Sequence, residues 1–96
     1  MSQNHVIQIE GFVAIKINPQ TYNIWIQIAS FSNKKSASIL KKKFNSIKNI
    51  NIKKFNFEGK TFFRVRVGPF KKIDEIKKTY NLLLNSGMEG TKIFVE

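Results

Sequence analysis

The sequence contains no cysteine, so neither a disulfide framework nor a thiolate metal site is open to it. Histidine is nearly absent: His5 stands alone near the N-terminus, with no candidate nucleophile beside it, and carries no role. Acidic residues are few. The six are Glu10, Glu58, Asp74, Glu75, Glu89 and Glu96, and none falls between residues 11 and 57. Only Asp74 and Glu75 are adjacent, and neighbouring positions of a helix do not face each other. The carboxylate pair of a glycoside hydrolase is therefore missing. No glycine-rich phosphate loop is present. No cofactor, metal site or catalytic residue is expected. No apolar run approaches the ~20 residues of a membrane-spanning helix. The first residues, Met1-Ser2-Gln3-Asn4-His5, lack the basic region and apolar stretch of a signal peptide. The reading is either a cytoplasmic protein or a segment of a longer exported chain.

What remains is basic and apolar. Seventeen Lys and Arg outweigh the acids for a net charge of +11, and the hydrophobic share of 42%, with nine Phe, is enough for a core. The length of 96 residues fits one domain with a modest interior. A surface of this sign attracts polyanions such as nucleic acid, anionic lipid or an acidic glycan. Fifteen of the 17 cations are Lys, beside abundant Ile and Asn, which is also what an AT-rich coding sequence imposes. The charge alone does not select a partner.

Two parts are legible along the chain. Residues 1–22 read as a leader, a linker or extra strands. They hold two alternating runs, Val6-Ile7-Gln8-Ile9 and Phe12-Val13-Ala14-Ile15-Lys16-Ile17, around Glu10-Gly11, which a hairpin would explain. Asn18-Pro19-Gln20-Thr21 reads as a turn or linker. Residues 23–96 have a clearer rhythm. Ile24 to Ala29 alternates with period two and is rich in β-branched residues, so it is a strand. Ser30-Phe31-Ser32-Asn33 breaks it, with Ser32 or Asn33 able to cap a helix. Ala37, Leu40, Phe44 and Ile47 recur at helical spacing and predict a helix over 34–48, with Lys41-Lys42-Lys43 on its solvated side. Asn51 to Phe57 reads as a strand, Glu58-Gly59-Lys60 as a hairpin turn, and Thr61 to Val67 as a further strand. Gly68-Pro69-Phe70 ends that strand. A second helix over 72–86 turns Ile73, Ile76, Tyr80 and Leu83 inward, and Gly87 closes it. Thr91 to Val95 is the last strand.

The order β-α-β-β-α-β predicts an α+β sandwich, one four-stranded antiparallel sheet with both helices on one face. An internal repeat supports it. Ile26-Gln27-Ile28-Ala29-Ser30-Phe31 aligns with Val65-Arg66-Val67-Gly68-Pro69-Phe70, and at the same offset Ala37 aligns with Ile76 and Phe44 with Leu83. Each unit is strand, turn, Phe and helix, and each Phe plugs the gap between strand end and helix start. Alternation places Ile24, Ile26, Ile28, Phe63, Val65 and Val67 under the helices. It leaves Trp25, Gln27, Ala29, Phe62, Arg64 and Arg66 on the open face, joined by Lys92 and Phe94 from the last strand. Exposed aromatics beside an amide and two guanidiniums mark a binding surface. Two plainer readings stand beside this one: Gln27 and Arg66 as solvated positions, and Trp25 as covered by residues 1–23.

The motif Ile26-Gln27-Ile28-Ala29-Ser30-Phe31, a Lys-rich helix, and then Phe63-Arg64-Val65-Arg66-Val67-Gly68-Pro69-Phe70 resembles the signature of the SPOR (sporulation-related repeat) domain. The resemblance covers residues 23–96. It implies a ferredoxin-like (RNP-like) fold and non-catalytic binding of peptidoglycan glycan strands that lack stem peptides. It further implies attachment to a larger exported envelope protein in the periplasm, targeting to the division septum, and contact with other division or envelope proteins. The family's glycan-contacting residues fall on Gln27, Ser30, Phe62 and Arg64, and Trp25 and Arg66 extend the expected site. Many members carry Trp where this chain has Phe62, which lacks the indole N–H. The alternative reading is an RRM-like module binding single-stranded RNA or DNA, which shares the element order and the aromatic sheet face. Lys60-Thr61-Phe62-Phe63 echoes its third-strand motif, but Thr61 stands where that motif needs Gly.

Overall fold

The structure is a computed structural model that describes residues 5–7, 15–17 and 21–96, with side chains from 21 onward. Strands β1 (His5–Ile7) and β2 (Ile15–Ile17) pair antiparallel, His5 opposite Ile17, as a hairpin requires. Glu10-Gly11, Asn18-Pro19-Gln20 and the side chains of the expected cover over Trp25 lie outside the described residues. The rest follows as β3 (Ile24–Phe31), α1 (Lys34–Lys43), β4 (Ile50–Phe57), β5 (Lys60–Phe70), α2 (Ile73–Asn85) and β6 (Lys92–Val95). These strands form one antiparallel sheet in the order β4-β5-β3-β6. The two β-α-β units thus interlock with β3 and β5 as central neighbours, the expected split arrangement. Among the described residues, no helix is long and apolar enough to cross a membrane.

Both helices pack on one face of the sheet. Ile24, Ile26 and Ile28 of β3 and Val65 and Val67 of β5 meet Ala37, Leu40 and Phe44 from the first helical segment and Ile76, Tyr80 and Leu83 from α2. These are the residues that helical and strand spacing turn inward. Phe70 is buried, and Phe31 packs against the same cluster. Each is the last residue of its strand, so the repeat's Phe does seal strand end to helix start.

Local chemistry explains the element ends. The Asn33 side chain accepts the Ser36 N–H at 2.8 Å and caps α1. Lys41, Lys42 and Lys43 crowd its last turn, where the helix dipole favours cations. The helix stops at Lys43, a turn short of the expected end at 48. Asn45 and Ser46 follow, residue types that disfavour a helix interior. Ile47 still packs on the core from a turn, its N–H donating to Phe44 O at 3.0 Å. Asn49 then adopts φ 61 to redirect the chain into β4. Asp74 and Glu75 occupy the first turn of α2. At the other end the Gly87 N–H donates to Leu84 O and the Met88 N–H to Leu83 O, with Gly87 at φ 89, a Schellman closure. The β4–β5 hairpin turns on Glu58 and Gly59 alone, at φ 49 and 77, the signs a two-residue I′ loop needs. Lys60 is already in the strand, opposite Phe57.

Two bulges in the β3–β5 ladder correct the simple alternation. From Gln27↔Arg66 to Ala29↔Val65, β3 advances two residues while β5 advances one, so Ile28 is inserted. Ile28 and Ala29 both turn to the core side, and β3 runs on to Phe31 instead of breaking at Ser30. From Ile24↔Phe70 to Ile26↔Val67 the extra residue is on β5, within Gly68-Pro69. Gly68 takes φ 136, and β5 bends through it to Phe70 instead of ending at Val67.

Candidate functional site

The face of the sheet opposite the helices is assembled by register. Across β4 and β5 it pairs Asn51 with Arg66, Lys53 with Arg64, Phe55 with Phe62 and Phe57 with Lys60. Across β3 it pairs Ser30 with Arg64 and Gln27 with Arg66, and across β6 Trp25 with Phe94 and Gln27 with Lys92. Five of the six expected residues, Trp25, Gln27, Ser30, Phe62 and Arg64, lie on this face at least partly exposed. The Ile28 bulge removes Ala29 from the face and brings Ser30 onto it, beside Arg64.

Arg66 is the exception. It is 1% exposed, so it is neither a solvated position nor placed to touch a ligand. Its guanidinium carbon lies 4.6 Å from the Trp25 ring centroid and 5.8 Å from that of Phe94. Its Nη2 donates to Glu96 Oε2 at 2.9 Å. A buried cation needs such a partner, and the aromatic faces supply further attraction. Arg66 thus sits between Trp25 and Phe94, and Gly68 leaves room for the indole: a Cβ there would come 3.2 Å from Trp25 Cε3. Spacing could not foresee this burial, because the partner Glu96 sits 30 positions away.

Arg64 lies over an aromatic ring, its guanidinium carbon 4.2 Å from the Phe55 centroid. Burial, and after it the charge of Arg66, lowers the Arg64 pKa from its usual value, while Glu96 pulls it upward. An arginine so shifted stays charged at neutral pH and gains more from an anionic partner than a solvated one would. Four buried side-chain polar atoms have no hydrogen-bond partner among the described residues: Trp25 Nε1, Gln27 Oε1, Arg64 Nε and Arg66 Nε. All four belong to this face. Leaving such an atom unpaired costs about 1–3 kcal/mol, so a ligand that supplies partners to Trp25, Gln27 and Arg64, the three of these residues with surface on this face, is favoured.

Phe55 and Phe57 also stand here and were missed. They fall on alternate positions of β4 with Asn51 and Lys53, a pattern visible in the sequence but without a face until the register was known. Their rings stack at 6.2 Å with 12° between planes. Among the described residues no three His, Cys, Asp or Glu gather as metal ligands.

Comparisons with known proteins agree with this architecture. A family model described as the SPOR domain matches residues 20–90. Among solved structures, the crystal structure of the RlpA SPOR domain from Pseudomonas aeruginosa superposes with a TM-score of 0.66 at 22% identity, covering 74% of this chain and 96% of that one. At that identity the likeness is one of fold. No curated protein matches.

Proposed function

The chain belongs to the SPOR domain family, and from that premise we propose that its open sheet face binds glycan strands of peptidoglycan, preferring strands stripped of their stem peptides. SPOR domains are non-catalytic peptidoglycan-binding modules of bacterial envelope proteins. The observation that carries the finer reading is the gathering of unpartnered polar atoms with flat side chains on one sheet face. Trp25 and Phe62 offer rings to the C–H faces of sugars. The Gln27 amide both donates and accepts, as hydroxyl and acetamido groups require. Ser30 adds an exposed hydroxyl beside Arg64. Removing the stem peptide uncovers a lactyl carboxylate on muramic acid, and the planar Arg64 guanidinium suits it bidentately. Intact strands present an amide there instead. A single exposed ion pair contributes only ~0.2–1 kcal/mol, so selectivity is shared among these contacts. Stripped strands arise where bacteria divide, which directs a larger exported parent protein to the septum from the periplasm.

The test is co-sedimentation with purified sacculi, intact and after amidase digestion, with single-stranded RNA as competitor. Digestion should increase binding, and Gln27→Ala and Arg64→Ala should each reduce it. Equal binding to both preparations, displaced by RNA, would defeat the proposal in favour of nucleic acid.

A further inference from the structure

The half of the face nearest the β4–β5 hairpin lies beyond the residues just assigned. Phe55 is 37% exposed and Phe57 55%, both on the edge strand of the sheet. Leaving such area in water costs about 25 cal/mol per Å². Neither ring is needed by the core cluster. Arg64, Phe55 and Phe57 form a file of flat groups, 4.2 Å from guanidinium to the first ring and 6.2 Å between rings. The file starts at Arg64 in the proposed glycan site and ends at the hairpin.

Its charge setting is one-sided. Lys53 is opposite Arg64 and Lys60 opposite Phe57, both exposed. The nearest acid in sequence is Glu58, in the turn itself. Two stacked rings with cations at both flanks suit a polymer of sugar rings that carries carboxylates.

We propose that Phe55 and Phe57, flanked by Lys53 and Lys60, form an additional saccharide subsite that extends the track toward the hairpin and makes affinity depend on glycan length. This rests on the glycan reading above. Short stripped oligosaccharides fill the Gln27–Arg64 site alone. Longer ones continue along the file and gain ring stacking.

The test is titration calorimetry of the full chain with short and long stripped glycan oligosaccharides separated by size. Wild type should bind the long ones more tightly. Phe57→Ala should weaken long-oligosaccharide binding about three- to tenfold, the worth of one aromatic stacking contact. Short-oligosaccharide binding should stay unchanged. Phe57→Leu, which keeps an apolar side chain without the flat ring, should lose most of the same gain. Gln27→Ala should weaken both lengths. If Phe57→Ala and Phe57→Leu bind long oligosaccharides like wild type, the subsite is refuted and the glycan reading survives. If wild type binds neither length, both fail together.

Discussion

Replacing Gly68 by alanine attacks the point where β5 bends, the core closes and Trp25 is held. At φ 136 a side chain is strained wherever it points, at a cost of roughly 1–3 kcal/mol. The new Cβ would also come 3.0 Å from Ile24 O, 3.2 Å from Trp25 Cε3 and 3.3 Å from Phe70 N. Two of these are backbone atoms of paired strands and yield little; overpacking of this kind costs roughly 1–3 kcal/mol more. Together these are roughly 2–6 kcal/mol, against a total stability on the order of 5–10 kcal/mol for a domain this size. Urea unfolding followed by tryptophan fluorescence measures it directly. Gly87→Ala is the control: its φ is 89, but nothing lies within 4 Å of the added methyl, so it reports strain without collision. The melting temperature of Gly68→Ala should fall by more than 10 °C, at roughly 4–8 °C per kcal/mol. Should Gly68→Ala unfold no more easily than Gly87→Ala, the claim that backbone and indole close over this position is wrong.

Asn33→Ala removes the acceptor of the Ser36 N–H and should destabilise the domain by about 1 kcal/mol in the same unfolding assay, with Asn33→Ser largely neutral. Glu96→Gln leaves the buried Arg66 without its anion. Because the Glu96 side chain is 48% exposed, the loss should be about 1 kcal/mol rather than the several of a fully buried pair. Arg64→Lys keeps the charge but loses the planar fork and the stack on Phe55. It should weaken binding to amidase-digested sacculi several-fold while leaving the unfolding midpoint nearly unchanged, and wild-type binding would show that charge alone matters.

Much of the architecture could be read from residue order because the signals are local. Period-two alternation turned Ile24, Ile26 and Ile28 inward, and helical spacing did the same for Ile76, Tyr80 and Leu83. The hairpin turn expected at Glu58-Gly59-Lys60, narrowed to Glu58-Gly59 in the structure, and the glycine closure after α2 depend on backbone angles that few residues adopt. The repeat of strand, Phe and helix survived as matched seals at Phe31 and Phe70. For the candidate site, parity alone brought Trp25, Gln27, Phe62 and Arg64 to one face.

The departures at the site come from long-range pairing. A bulge is a mismatch in residue count between two strands, and neither strand encodes it alone. The insertion at Ile28 therefore reversed the face expected of Ala29 and set Ser30 beside Arg64. Arg66 has the sequence context of a solvated strand position, yet Trp25 from one distant segment and Phe94 and Glu96 from another converge on it. Phe55 and Phe57 acquired a meaning only when β4 took its place beside β5, which set one ring under Arg64 and the other at the open edge. The sequence by itself determined which segments are strands and helices and which side chains each turns the same way, because those properties repeat over a few residues. Only the tertiary structure decided which of the outward side chains are buried, paired or free, because that depends on partners brought together from distant positions.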